Sequence, residues 1–173
     1  SIRHDLESIV GHEWFDVGES AGDNDEPRES RDREGVEADR AARLRAMIDD
    51  AAAGEVAVHV EGDMTAVTAL DAESFDELSR AIAQCVSNVR RHAGTDSADV
   101  VLGGNTSEAS AMVIDGGRGF ALDSRTDGRL GVGTSIVGRL ESIGGSATVW
   151  SQPGKGTSVL LRVPVTRESG GWA

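Results

Sequence analysis

The sequence predicts an α/β protein, a two-layer α/β sandwich in which a mixed sheet carries its helices on one face. From residue 55 onward, short runs of alternating β-branched residues are separated by longer segments with helical spacing. Their order is strand, helix, strand, strand, helix, strand, strand, which is typical of a sheet packed against helices. Several connections are rich in glycine, which is common in tight turns.

Composition excludes several classes of protein. The 173-residue chain has 30 Asp and Glu residues against 17 Lys and Arg residues, a net charge of -13, so we expect no nucleic-acid partner. Its single cysteine excludes an internal disulfide and a multi-cysteine metal site. No run reaches the ~18 apolar residues of a membrane span. We therefore expect a cytoplasmic chain, either free or as the cytosolic part of a membrane protein.

Residues 1–54 form an acidic N-terminal segment that is expected to be partly flexible. Between Glu19 and Asp39 only three residues are apolar, too few to offset the entropy lost on ordering. Flexibility is therefore predicted for Val17–Gly35. Helical spacing returns in Val36–Ala53, and Gly54 is expected to end that helix as a C-cap.

Residues 55–166 are predicted to form one compact domain, followed by a flexible tail at 167–173. Alternation predicts a strand at Val56–Val60. A capping box at residues 74–77 is expected to open a long helix. The apolar seam of this helix has residues three or four positions apart: Phe75, Leu78, Ile82, Cys85, Val86 and Val89.

The second half of this domain is predicted to contain a hairpin, a mobile loop, a helix and a second strand pair. The loop is Ala121–Leu130, which has many polar residues and little periodicity. The other elements are the hairpin strands Ala98–Leu102 and Ala109–Ile114, the helix Gly133–Ile143, and the strands Ser146–Trp150 and Thr157–Val163.

Polar and glycine-rich segments suggest a binding site. Asp115 ends a predicted strand and is followed by alternating glycines through Phe120. Glycine lets the backbone pass close to a flat ligand, and the carboxylate can accept a hydrogen bond from that ligand. Two further glycine-rich segments follow, at residues 131–133 and 154–157.

The long helix carries a polar stripe beside its apolar seam. Gln84, Asn88 and His92 are spaced four apart, and Arg91 is three after Asn88. An amide oxygen suits Mg²⁺, which takes many of its remaining ligands from water and phosphate. The alternative for the stripe alone is a solvated helix face.

Taken together, these segments resemble the ATP-binding domain of histidine kinases, in the superfamily that includes gyrase, MutL and heat-shock chaperone ATPases. Residues 84–93 resemble its N box, 115–120 its G1 box and 131–137 its G2 box, and 154–157 is similar to its closing strand motif. The resemblance implies a Bergerat-type ATP-binding fold. An N box ending in Arg-His-Ala is most similar to the nitrate-sensor-like subfamily.

The resemblance also implies ATP and Mg²⁺ as ligands. Asp115 would accept a hydrogen bond from the adenine amino group, and Thr157 would assist through water. Gly117 and Gly119 would let the base lie against the backbone.

The phosphates are expected at the other end of the nucleotide. Asn88 would hold Mg²⁺, and Arg91 and His92 would face the phosphates. Gly131 and Gly133 would lead into a helix N-terminus, where backbone N–H groups favour anions.

Two positions depart from the family pattern. Gln84 occupies the catalytic position that usually carries Glu, and an amide cannot act as a base, so catalysis is expected to be weakened. His4-Asp5 matches the family's phosphoacceptor dipeptide but is followed by Gly11 and an acidic loop. A degenerate dimerisation region is the favoured interpretation of residues 1–54.

Three functions remain open from the sequence. The first is the catalytic domain of a two-component sensor histidine kinase, with a response regulator as partner and a homodimer formed through a helical region at or upstream of the N-terminus. The second is a degenerate kinase that acts as a nucleotide-dependent interaction module. The third is an anti-sigma-type serine kinase. The helix predicted at Val36–Ala53 favours the first two.

Overall fold

The protein is described by a computed structural model at residues 28–121 and 134–165. Within these residues the chain forms five strands: β1 Ala57–Gly62, β2 Ser97–Gly104, β3 Glu108–Asp115, β4 Ser146–Gln152 and β5 Gly156–Pro164. The helices are α1 Arg28–Ala52, α2 Thr65–Thr68, α3 Ala72–Asn88 and α4 Thr134–Glu141, with a π-helical turn at Val89–Ala93 that continues α3.

The five strands form one mixed sheet in the order β1-β2-β3-β5-β4. Strands β1 and β2 are parallel, and the other three pairs are antiparallel. The pairing of β3 with β5 places Asp115 opposite Thr157. The register of the sheet thus brings together two residues that are 42 positions apart in the sequence.

The main core lies between the sheet and the helices. Its centre is α3, whose predicted apolar seam is buried at every position. A smaller cluster, with Met112, Leu160 and Trp150, lies apart from the main core. Helices therefore cover one face of the mixed sheet, and the predicted two-layer α/β fold is confirmed.

Helix α1 begins earlier than the sequence suggested. Flexibility was predicted through Gly35, but residues 28–35 belong to α1; residues 17–27 lie outside the described part of the chain. The prediction was wrong for 28–35 because it weighed only burial. Arg and Glu are good helix formers even when exposed, and the helix is anchored further along by buried Leu44 and Ile48.

Helix α1 is fixed to the rest of the fold near its middle and turns sharply at its C-terminal end. Near its middle, the Arg40 guanidinium donates hydrogen bonds of 2.7 and 2.5 Å to the carbonyl oxygens of Thr68 and Leu70. At the C-terminal end, Ala53 and Gly54 both have positive φ, 51° and 71°. The change of direction therefore starts one residue before the predicted glycine C-cap.

Helix α3 has a different cap from the one predicted. Asp71 is the N-cap, and its carboxylate accepts a 2.8 Å hydrogen bond from the backbone N–H of Ser74. The Ser74 hydroxyl donates to the same carboxylate at 3.0 Å. The predicted capping box at residues 74–77 is thus wrong: Ser74 is already inside the first turn, because an aspartate three residues earlier satisfies its N–H.

Two elements have no counterpart among the predictions. Helix α2 is four residues long, which is too short to show periodicity. The π-helical turn looks like a plain continuation of α3 in sequence, and it ends at Gly94 with φ 67°. Of the helices in the described ranges, none has the length and apolar character needed to cross a membrane.

Candidate functional site

A cleft opens between the C-terminal part of α3, the π-helical turn and the adjoining ends of β3 and β5. Its walls are mainly apolar side chains: Cys85, Val89, Val113, Phe120 and Val159. The volume of the cleft is about 120 Å³. Burial raises the pKa of the Cys85 thiol to about 12, so this residue acts as a neutral, apolar part of the wall.

Asp115 is the buried acid of this cleft. It ends β3, lines the cleft and is only 6% exposed. Burial raises the pKa of its carboxyl, while hydrogen bonds from the backbone N–H groups of Gly117 and Thr157 oppose that rise. The bond from Gly117 to Oδ1 is 2.9 Å long. An acceptor held rigidly among apolar walls is suited to a flat ligand that offers an N–H donor.

The glycines after Asp115 are required by the packing of the loop itself. A Cβ on Gly117 would meet the carbonyl oxygen of Ala93, and one on Gly119 would meet that of Gln152. Gly119 also has φ 58°. The loop is further fixed by a 2.8 Å hydrogen bond from the Arg118 N–H to the Ala93 carbonyl. These contacts explain why glycine is needed at positions 117 and 119 even without a ligand.

Thr157 lines the cleft beside Asp115 and is held by a residue that the sequence did not single out. Its hydroxyl lies 2.9 Å from Oγ of Ser151, which is buried. The same Ser151 oxygen accepts a 2.9 Å hydrogen bond from the N–H of Phe120. The sequence offered one sign of this role: Ser151 is a polar residue on the same, core-facing side of β4 as Ala147 and Val149.

The polar stripe of α3 is only partly in the cleft. Asn88 and His92 line it, whereas Arg91 is exposed and does not. Arg90 faces back to α1, where its guanidinium donates to the Ala51 carbonyl at 3.1 Å. Arg118 also lines the cleft. The sequence did not predict a role for this residue, because the glycines on either side of it carried the motif.

Gln84 lies one turn before Asn88 and is not among the cleft residues. Its side-chain N–H donates a 2.5 Å hydrogen bond to Oγ of Ser135 in α4. A second contact between the same helices is the 3.0 Å ion pair of Arg139 with Glu77. The predicted residues Gly131 and Gly133 lie outside the described ranges.

A metal in this cleft would need a bound ligand or water for most of its coordination. Within 28–121 and 134–165, no three His, Cys, Asp or Glu side chains are grouped as a metal site. The Asn88 amide at the cleft wall is compatible with Mg²⁺, which is commonly bound through one or two protein oxygens plus phosphates and water.

Comparison with known proteins gives a consistent family. The family described as "Histidine kinase-, DNA gyrase B-, and HSP90-like ATPase" matches residues 73–167. The sensor histidine kinase LiaS of Bacillus subtilis (strain 168) is 36% identical over 104 residues, 60% of this chain and 29% of LiaS. YhcY, a sensor histidine kinase of the same strain, is 32% identical over 95 residues, 54% of this chain and 25% of YhcY. The chain thus spans less than a third of either relative.

Two solved structures share the fold. A histidine kinase domain from the blue-light activated histidine kinase of Erythrobacter litoralis EL346 has a TM-score of 0.54 at 18% identity, over 94% of this chain and 69% of that chain. A second structure of the blue-light activated kinase has a TM-score of 0.55 at 22% identity, over 74% of this chain and 41% of the other. At these identities the likeness concerns the fold alone.

Proposed function

The chain belongs to the family of histidine kinase-, DNA gyrase B- and HSP90-like ATPases, and we propose that residues 55–166 are the ATP-binding catalytic domain of a two-component sensor histidine kinase. The observation that carries this proposal is the buried Asp115 carboxylate at the end of an apolar cleft. The two curated relatives, both sensor histidine kinases, support it. They give no support to the serine-kinase alternative.

Asp115 is proposed to recognise the adenine base. Its carboxylate is a hydrogen-bond acceptor when ionised, and the walls around it are mainly apolar, as the faces of a flat aromatic base require. An exocyclic amino group is a donor and would pair with it. Thr157, opposite Asp115 in the sheet, is proposed to contact the same edge of the base through water.

The phosphates and Mg²⁺ are proposed to lie toward Asn88 and His92, the polar wall of the cleft. ATP with Mg²⁺ supplies a transferable γ-phosphoryl group whose charge the metal partly neutralises. The role of the chain is to bind and orient: Asn88 would hold the metal and His92 would face a phosphate oxygen. Arg91, Gly131 and Gly133 are proposed to act on the phosphates as well.

Gln84 is proposed to occupy the catalytic position on α3. It lacks the charge of a glutamate and cannot accept a proton, so phosphoryl transfer is expected to be slow while ATP binding is retained. Positioning and electrostatics supply most of the catalysis of phosphoryl transfer, so slow transfer is compatible with kinase activity.

The wider setting is also a proposal. We place the protein in the nitrate-sensor-like subfamily on the strength of Arg91-His92-Ala93 at the end of its N box. The expected partners are a response regulator and a second copy of the chain. The dimer would form through a helical region at or upstream of the N-terminus, and α1 leads in that direction. The proposed location is the cytoplasm, where ATP is available.

The experiment that tests this function is phosphorylation of the whole protein with γ-³²P-labelled ATP. Label that is lost in acid but kept in alkali identifies phosphohistidine, and Asp115→Ala should reduce that label strongly at ATP concentrations that limit binding. Asp96→Ala, a change at an exposed acid outside the cleft, is the matched control and should keep it. Acid-stable label on serine would contradict the histidine-kinase assignment.

A further inference from the structure

The sheet face opposite the helices carries an apolar patch, here called the outer patch, which consists of Val101, Met112, Ile114, Trp150 and Leu160. Its residues lie in two adjoining rows across the sheet. Met112 of β3 is opposite Val101 of β2 and Leu160 of β5, and Trp150 of β4 lies in the same row as Ile114. Directly opposite residues point to the same face, so these side chains form one continuous surface over four strands.

The outer patch departs from the usual pattern of a sheet with one covered face. The second face of such a sheet ordinarily carries polar residues, and β1 follows this rule with His59, whose side chain is 69% exposed. Met112 and Leu160 are instead apolar and only 7% and 3% exposed. The hydroxyls of Ser110 and Ser158, on the same face, are likewise buried. Apolar, shielded residues where hydrated ones are expected mark the outer patch as a packing surface.

A stretch near the N-terminus, residues 2–15, has the chemistry to match this surface. Its apolar residues recur on one side of a predicted helix, and charged or polar residues occupy the other side. The apolar positions are Ile2, Leu6, Ile9, Val10 and Trp14. Gly11 lowers the helix propensity of the stretch, and so short a helix is marginal by itself in water. The stretch therefore needs an apolar surface on which to form a helix.

We propose that residues 2–15 dock as a helix on the outer patch of the same chain. A helix of this length is ~21 Å long, and four neighbouring strands span ~14 Å from the first to the last, so the stretch can cross the whole patch. The inference goes beyond the proposed function, because the outer patch and the nucleotide cleft lie on opposite faces of the sheet.

The chain between the stretch and α1 is long enough for this path. Residues 28–39 of α1, which precede the anchored Arg40, extend for ~18 Å. Residues 16–27 can span at most about 40 Å. They can therefore return along α1 and also cross the ~10 Å that separates two packed layers. The tether favours the same chain over a second copy, because it holds the stretch at a high effective concentration.

The test uses the whole chain with a nitroxide spin label in the N-terminal stretch. Ser8→Cys places the label on the polar side of the predicted helix, and the native thiol does not compete because Cys85 is buried. Amide signals close to the label broaden in ¹⁵N spectra. Broadening is expected for β3, β4 and β5 and for the indole N–H of Trp150. It should be weaker for α1 and α3, which lie one layer further from the label.

Two pairs of variants separate docking from chance proximity. Leu6→Ser combined with Ile9→Ser should abolish the broadening, whereas His4→Ser, on the polar side of the predicted helix, should keep it. On the sheet, Trp150→Ser should reduce the broadening of β3 and β5. His59→Ser, on the same face at β1, should leave it unchanged. The dispersion of the amide signals verifies that each variant is folded.

A mixed sample identifies the occupant. A ¹⁵N chain without the nitroxide is refolded from urea together with a ¹⁴N chain that carries it, so that any dimer contains both. The proposal predicts broadening when one chain carries both labels and none in the mixed sample. Broadening of the same signals in the mixed sample would assign the outer patch to a second copy and overturn docking within the chain.

Three further results would overturn the proposal. They are the absence of broadening in the sheet, its persistence after Leu6→Ser with Ile9→Ser, and stronger broadening in α1 and α3 than in β4 and β5. The last would place the stretch on the helical face. None of these measurements involves a nucleotide, so the proposed function stands or falls separately.

Discussion

The side-chain amide of Gln84 donates a 2.5 Å hydrogen bond to Oγ of Ser135, which joins α3 to the first turn of α4. A second link, the ion pair of Glu77 with Arg139, lies further along the same two helices. Gln84 is therefore held in a fixed position beside the start of the helix that follows the predicted Gly131 and Gly133. A glutamate at this position could keep the contact with the direction reversed, because the Ser135 hydroxyl can donate to a carboxylate.

We expect Gln84→Glu to raise the rate of phosphoryl transfer while the affinity for ADP changes little. General-base assistance typically contributes about 10²–10⁴-fold, so a gain of tenfold or more is a conservative expectation. The measurement is the initial rate of labelling from γ-³²P-labelled ATP. Gln152→Glu, the same change at an exposed position of β4, is the control. Rapid transfer by wild type with no gain in Gln84→Glu would show that the amide is no catalytic handicap.

Gly117→Ala should destabilise the loop after Asp115 and weaken ADP binding. The added methyl group would meet the carbonyl oxygen and Cβ of Ala93, and such overpacking typically costs about 1–3 kcal/mol. Gly116→Ala is the matched control, because a Cβ there meets nothing within 4 Å. Urea denaturation of both variants measures the difference. Equal free energies of unfolding would contradict the close approach of this loop to the π-helical turn.

Asn88→Ala should lower ADP affinity in the presence of Mg²⁺ but leave it nearly unchanged in EDTA. The proposed role of Asn88 is to ligate the metal, and the loss of one such interaction is expected to cost about tenfold in affinity, or ~1.4 kcal/mol. Calorimetric titration under both conditions lets each protein serve as its own control. A similar loss of affinity with and without Mg²⁺ would assign Asn88 to packing of the cleft instead.

Asp115→Asn should raise the stability of the protein at neutral pH. Burial raises the pKa of this carboxyl above its ordinary 3.8, so the folded state holds the proton of Asp115 more tightly than the unfolded state does. The contribution of Asp115 to folding stability is therefore fully present below pH 3.8 and is lost as the pH rises through the folded-state pKa. At pH 7 the buried charge therefore costs folding free energy that a neutral amide avoids. The advantage of the variant should shrink toward pH 4, as measured by urea denaturation. A pH-independent difference would contradict the raised pKa.

Much of the fold was predictable because it depends on periodic burial. The seam of α3 has regular spacing, so Leu78, Ile82 and Val86 could be placed in the core from sequence alone. Asp115 was recognisable because an Asn-bearing helix precedes it and two further glycine-rich segments follow it in the sequence. The first residues of α1 were mispredicted because charge density alone does not distinguish an exposed helix from a flexible segment.

The remaining features depend on contacts between distant residues. Ser151 resembles any strand serine until the fold places Phe120 and Thr157 beside it. The cap of α3 could not be chosen from sequence, since both Asp71 and Ser74 are good N-cap residues. Arg90 and Arg91 are neighbours with the same charge, but Arg90 donates to the Ala51 carbonyl of α1 whereas Arg91 is exposed, and that difference depends on where α1 packs.

The measurement that tests the central claim most directly is the ADP affinity of Asp115→Ala, determined by calorimetry beside wild type and Asp96→Ala. Loss of the buried acceptor leaves the adenine amino group without its partner, which costs about 1–3 kcal/mol. The account predicts that Asp115→Ala binds ADP at least about tenfold more weakly, while Asp96→Ala matches wild type. Equal affinities in all three proteins would contradict the assignment of this cleft as the nucleotide site.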